Sequence, residues 1–291
     1  MVTVILSEWG VEVCRAKTAA AWSHDPVARR GRLVASIRGM RRNMSWAGRP
    51  LALAMAPILL VQGARVRRRT PVLPEAAGAR EGVRGDAPGD RLSLLVLGES
   101  TAAGVGVPTQ ADGLAPALAA GLSGHSDRSV TWRVAAHTGY SARKVLGLLV
   151  PRLPDETYDV VVVVLGVNDV LEMRSGRGWR RDVAALLAAL RPRLRSGGRV
   201  VLAGVPDMSG FPALPQPTRA VLGLHARHLD QGLARVAAAT PWAVHAPAFG
   251  IDTSGLYAED GFHPGADGYR TWAAHLVTTM AALSGQSPRT M

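Results

Sequence analysis

Residues 160–166 read VVVVVLG. A strand that is apolar at every position has to be covered on both faces, because successive side chains point to opposite sides. Similar β-branched runs occur at 92–97, 130–135, 200–205 and 242–245. Helical patterns lie between them. Val183, Leu186, Leu187, Leu190 and Leu194 recur at i, i+3, i+4, i+7 and i+11, and Leu222, Leu229, Leu233 and Val236 follow a similar period. Five strands alternating with helices predict a parallel sheet between two helix layers, an α/β fold. Ligands of such sheets bind beyond the carboxyl ends of the strands. Gly98, Gly166 and Pro206 each sit just past a strand end.

This pattern occupies residues 91–285, the expected catalytic domain, with 286–291 as a tail. A chain of 291 residues with 47% hydrophobic content can bury a sizeable core. Residues 1–90 read as a leader, a short apolar segment and a linker. The net charge of +12 is uneven: residues 1–90 hold 15 Lys+Arg against 7 Asp+Glu, and residues 91–291 hold 19 against 15. The basic residues are nearly all Arg, with little aromatic interleaving, which argues against a nucleic-acid partner. Met40 and Met44 are alternative starts to Met1. Residues 51–61 are too few to span a bilayer, which takes about 20 residues in a helix. Pro57 interrupts them, and Arg65, Arg67, Arg68 and Arg69 follow. Arginines at that place, and no small-x-small cleavage site, fit a secretory signal poorly. The two readings are a docking segment for a membrane surface through residues 44–70 and a helix packed on the catalytic domain. Residues 71–90, rich in Pro, Gly and charge, read as a linker. The expected location is cytoplasmic or peripheral to a membrane, with secretion left open. The lone Cys14 cannot form an internal disulfide and says nothing of the compartment.

The first strand runs into LGESTAAGVGV. A Walker loop would need G-x-x-x-x-G-K-[ST], but Gly98 and Gly104 are one residue too far apart and no Lys follows. The dinucleotide fingerprint fails because residue 100 is Ser, and the G-x-S-x-G elbow fails at Ala102. What remains is Ser100 at the carboxyl end of a strand: a nucleophile on display, or merely a helix cap. Asp260 and His263, in YAEDGFHPGADGY, tip the balance. A serine nucleophile needs a base for its proton, and the base needs an acceptor on its other nitrogen. Asn168 in LGVNDV follows the most apolar strand and can donate a side-chain N–H to an oxyanion. Gly139 in AAHTGYSARKV can bring a backbone N–H close to a ligand. Metal binding is the weaker reading of Asp260 and His263, since no third ligand stands at suitable spacing.

Four blocks, GESTAAGVG, HTGYSA, LGVNDV and DGFHPGADGY, resemble the SGNH, or GDSL-type, hydrolase family in content and order. The resemblance covers about residues 91–285. It implies a three-layer α/β/α flavodoxin-like sandwich, in agreement with the five strands counted independently. It also implies Ser100 as nucleophile, His263 as base and Asp260 as the residue that orients it. Ser100 N–H, Gly139 N–H and the Asn168 side chain would form the oxyanion hole, and neither metal nor organic cofactor is required. One departure is Glu99, where the family usually has Asp. The Pro-rich loop 204–217 lies at the end of the fourth strand, and Met208, Phe211 and Leu214 are its candidate substrate contacts. His137 is a candidate for lining the site, while His225 and His228 read as surface or core-edge residues of a helix.

The expected activity is hydrolysis of carboxylic esters through an acyl-enzyme on Ser100, of lipase or lysophospholipase type. The alternatives are an acyltransferase or carbohydrate esterase on the same fold, and a catalytically silent membrane-bound binding module.

Overall fold

The computed structural model describes residues 48–248 and 255–284. The leader before residue 48 and the tail 286–291 lie outside them. Six strands form one sheet: β1 (Glu81–Arg84), β2 (Leu92–Gly98), β3 (Val130–Ala136), β4 (Tyr158–Val164), β5 (Leu194–Ala203) and β6 (Ala243–Ala246). Their order is β1-β3-β2-β4-β5-β6. The five strands β2 to β6 are parallel, as the alternation of strand and helix patterns predicts. β1 is a sixth strand, antiparallel to β3. It comes from the stretch read as a linker, where EGVR is too short and polar to announce a strand. Gly82 permits the pairing: a Cβ there would lie 2.8 Å from the Trp132 ring. β5 begins six residues before the run at 200–205, through Gly197 and Gly198, and its register with β4 shifts between Tyr158 and Val160.

Alternate residues along each strand feed two cores. On one face Leu95, Leu97, Val161, Val163 and Leu202 pack against helices α5 (Gly176–Leu190) and α6 (Thr218–Ala238). On the other, Leu94, Val96, Val162, Val164 and Val201 pack against α3 (Leu114–Ser126) and α7 (Ala266–Ser284). The valine run of β4 is apolar throughout because both faces are covered. A short helix, α4 (Val167–Leu171), starts directly beyond it.

The sheet order fixes the crevice. After β2 the chain moves outward to β3, then crosses back to lay β4 on the other side of β2. This reversal is a topological switch point, where parallel sheets open a cleft beyond their strand ends. The turn after β2 and the start of α4 therefore meet.

Residues 48–69 form two helices, α1 (Gly48–Ala54) and α2 (Ala56–Arg69). The helices lie against α6: Gln62 donates to Gln216 O at 2.8 Å and accepts from Thr218 Oγ1 at 2.6 Å. Ala52 is buried. Yet Leu53, Leu60 and Val61 are 75%, 73% and 69% exposed, so packing uses one narrow side only. Residues 75–84 also adhere to the domain: Ala76 is buried and Glu75 accepts from Thr138 N–H at 2.6 Å.

Candidate active site

β2 ends at Gly98, where a Cβ would stand 2.0 Å from Val164 O. Only glycine lets β2 and β4 finish so close. The chain then turns tightly, with Glu99 N–H bonded to Val164 O and Ala103 N–H to Glu99 O. Ser100 sits half-buried on this turn. At Gly106 (φ +104°) a Cβ would meet Pro264 O at 2.3 Å, so glycine also lets the serine loop abut the histidine loop.

His263 Nε2 lies 2.8 Å from Ser100 Oγ, across 163 residues of chain. Its Nδ1 lies 2.5 Å from Asp260 Oδ2. The other Asp260 oxygen accepts from Phe262 and His263 backbone N–H at 2.9 and 3.0 Å, which locks the turn. Burial alone would raise the Asp260 carboxyl, but the bonds from His263 and Phe262 hold it below the usual carboxylate range. Tyr269 of α7 donates to Val105 O at 2.6 Å, tying the last helix to the serine loop. Burial pushes its phenol far up, and the Asp260 charge adds to this.

Ser100, Gly139, Asn168 and His263 all border one cavity. Gly139 (φ +80°) turns the loop after β3 into this space. Asn168 Nδ2 is bonded to Glu99 Oε2 at 2.5 Å and approaches Tyr140 O at 3.3 Å. The remaining wall is largely apolar, with Leu165, Val167, Phe211, Phe262 and Trp272. Of the three loop residues expected to touch substrate, Phe211 borders the cavity, edge-on to Phe262 and Tyr257. Met208 and Leu214 do not border it. The loop folds back on α6, with Arg227 on Asp207 and Arg219 on Leu214 O and Pro212 O, and turns both side chains into the core. His137 is exposed, stacked on Tyr140 and off the cavity wall. His225 is buried in α6; for His228 burial, then Arg180 and Arg235, push the imidazole down.

Two carboxylates beside the site are buried: Glu99, marked in the sequence only as a departure from the family's usual Asp, and Asp169, which the sequence reading gave no chemical part. Glu99 is 2% exposed and Asp169 is fully buried. Burial pushes each up to about 7.

A serine, an imidazole and a buried carboxylate in one hydrogen-bonded line, at the carboxyl edge of a parallel sheet, belong to the serine hydrolases as a class. The model of the GDSL-like Lipase/Acylhydrolase family matches residues 96–271, and the chain belongs to that family, whose members hydrolyse esters. The chain is similar to the GDSL-like esterase Rv1075c of Mycobacterium tuberculosis (strain ATCC 25618 / H37Rv), 27% identical over 233 residues, which are 73% of this chain and 72% of the relative. Among solved structures it is similar in fold to TesA, with TM-score 0.54, 22% identity, and coverage of 66% of this chain and 99% of TesA. The lipase Lip_vut3 from a goat rumen metagenome gives TM-score 0.51 and 14% identity, covering 66% of this chain and 96% of the lipase.

Proposed function

We propose that the chain is a serine esterase that cleaves carboxylic esters through an acyl-enzyme on Ser100. The observation that carries this reading is the continuous line Asp260–His263–Ser100 opening on an apolar cavity. His263 takes the hydroxyl proton as Ser100 Oγ bonds to the acyl carbon. Asp260 holds the imidazole with Nε2 toward the serine and stabilises the imidazolium that forms. The oxyanion is stabilised by Ser100 N–H, Gly139 N–H and the Asn168 amide. His263 then gives its proton to the departing alcohol. Water enters, loses a proton to His263 and bonds to the acyl carbon; the bond to Ser100 Oγ breaks, His263 returns the proton to Oγ, and the acid leaves. The aromatic and aliphatic wall favours an ester with an apolar acyl group over a carbohydrate ester. The test is labelling by a fluorophosphonate probe. Labelling of the wild type and none of Ser100→Ala is expected; no labelling of folded wild type would sink the proposal and favour the silent binding module. Among p-nitrophenyl esters of rising chain length, a marked preference for acetate over longer chains would remove the lipase reading.

A membrane surface is the second element of the proposal. Leu51 and Leu53 on α1 and Ile58, Leu60 and Val61 on α2 are exposed, and the exposed Arg65, Arg67, Arg68 and Arg69 follow on α2. Among the described residues no helix is long and apolar enough to cross a membrane. Apolar side chains of this kind can rest in the interface, and the arginines fit anionic headgroups. Flotation with anionic vesicles should recover the wild type. It should recover much less of Leu53→Ser/Leu60→Ser or of a variant with the four arginines neutralised; unchanged recovery of both refutes docking.

A further inference from the structure

Glu99 stands directly before Ser100, borders the same cavity and reaches the start of α4. Its carboxylate accepts from Val167 N–H at 3.0 Å, Asn168 N–H at 3.1 Å and Asn168 Nδ2 at 2.5 Å. The second hydrogen of that Nδ2 faces Tyr140 O, at a long 3.3 Å. A weak resting partner of this kind is readily exchanged for a charged oxyanion. An ionised carboxylate can only accept hydrogen bonds, so it can face only the NH2 end of the amide. A protonated carboxyl carries a donor and can hold the amide oxygen instead. The two amide orientations have nearly the same shape. Turned round, Asn168 would present oxygen to Tyr140 O and to the site of the developing negative charge, and the hole would lose its side-chain donor.

We propose that Glu99 is a positioning residue that selects the donor orientation of the Asn168 amide, so that its ionisation completes the oxyanion hole and its protonation disables it. The idea rests on the acyl-enzyme reading above. Two further observations support it. Three N–H groups converge on Glu99 and, among the described residues, no acceptor is bonded to it, which is the surrounding of a charged carboxylate. Burial nevertheless lifts the group to about 7, with the nearby Asp169 charge adding to the effect, so both forms are populated near neutrality. The titratable and charged groups around it are few. Asp169 lies beside it on α4, with Glu172, Asp182 and Arg174 acting on Asp169. On the cavity side stands His263, paired with Asp260.

The experiment is the pH dependence of kcat and KM for p-nitrophenyl acetate in wild type, Glu99→Gln and Glu99→Asp, with thermal unfolding of each. Protonation of His263 alone gives an acid limb of one proton. The wild type should show two, one each on His263 and Glu99. Glu99→Gln, uncharged at every pH and able to hold either end of the amide, should lose about 10- to 100-fold in kcat at alkaline pH, somewhat less than removal of a whole oxyanion donor. Its KM should barely change and its acid limb should fall to one proton. Glu99→Asp keeps an acceptor-only carboxylate and should recover most of kcat and the second proton. A one-proton limb in the wild type overturns the proposal, and that measurement stands even if Glu99→Gln fails to fold. So does a two-proton limb in folded Glu99→Gln, or a folded Glu99→Asp with a one-proton limb. Failure of the acyl-enzyme reading is read separately, as turnover retained by Ser100→Ala.

Discussion

Ser100 has carboxylates on two sides, and they live under opposite conditions. Asp260 is buried but receives two backbone N–H groups and the His263 imidazole, and its carboxyl is held low. Glu99 and Asp169 are also shielded from solvent, and burial, the largest influence on each, pushes theirs up to about 7. Asp169 has one oxygen on Ala142 N–H at 2.9 Å and the other without a hydrogen bond among the described residues. Glu99 receives as many hydrogen-bond partners as Asp260, so the contrast lies in the weight of burial and in the kind of partner, an imidazole beside Asp260 against an amide and the Asp169 charge beside Glu99. One side of the site holds a carboxyl kept below its usual range, and the other holds two that burial pushes up to about 7.

The strongest way to break the comparison is to remove what Asp260 serves. His263→Ala should lower kcat/KM by ~10⁴-fold or more while leaving the fold intact by circular dichroism. Asp260→Asn keeps the shape but loses the charge and favours the wrong imidazole tautomer, so a drop of ~10³- to 10⁴-fold is expected in kcat. A drop below tenfold would mean that another group orients His263.

The raised acids predict a stability effect of opposite sign to that of Asp260. Asp169 and Glu99 bind a proton more readily folded than unfolded, between their ordinary values and about 7. Over that window stability falls as pH rises. The melting temperature should therefore be several degrees higher near pH 5 than near pH 8, a difference on the order of 1–3 kcal/mol. Asp169→Asn should flatten this slope, leaving the share due to Glu99; an unchanged slope would remove Asp169 from the account. Below the ordinary range of Asp260 the sign reverses, because protonating that residue removes stability. The smallest effect belongs to Tyr269→Phe, which takes one buried hydrogen bond from between α7 and the serine loop. It should cost about 1 kcal/mol of stability by denaturant titration, as such bonds usually do.

β4 was legible because it has no polar face, and the other parallel strands because short apolar, β-branched runs alternate with helix patterns, even where one side is half-exposed as in β3. Ser100, Asp260 and His263 were legible because the chemistry requires all three types together. The edge strand β1 was not, since a four-residue polar strand is held by its partner β3 and by Trp132 rather than by its own composition. Met208 and Leu214 look like substrate contacts on a linear loop; which way a loop turns depends on the salt bridge at Asp207, which spacing cannot show. The partners of Glu99 were hidden for a topological reason. Residues 99 and 167–168 meet only because β4 lies beside β2, and strand order is not written in any local pattern. For residues 51–61 the helices are packed on α6, as the second reading expected, and the apolar surface left exposed is what the proposed membrane docking would use.

The tie from Tyr269 to Val105 also sets an order of events in the life of each molecule. Ser100 leaves the ribosome 163 residues ahead of His263, and at about 5–20 residues per second that is a wait of roughly ten to thirty seconds. Throughout it the serine is an ordinary alcohol at the edge of an unfinished sheet. On the proposed mechanism reactivity would arrive only once His263 and the helix that follows it are in place, so a molecule interrupted during synthesis would hold a serine with no base beside it.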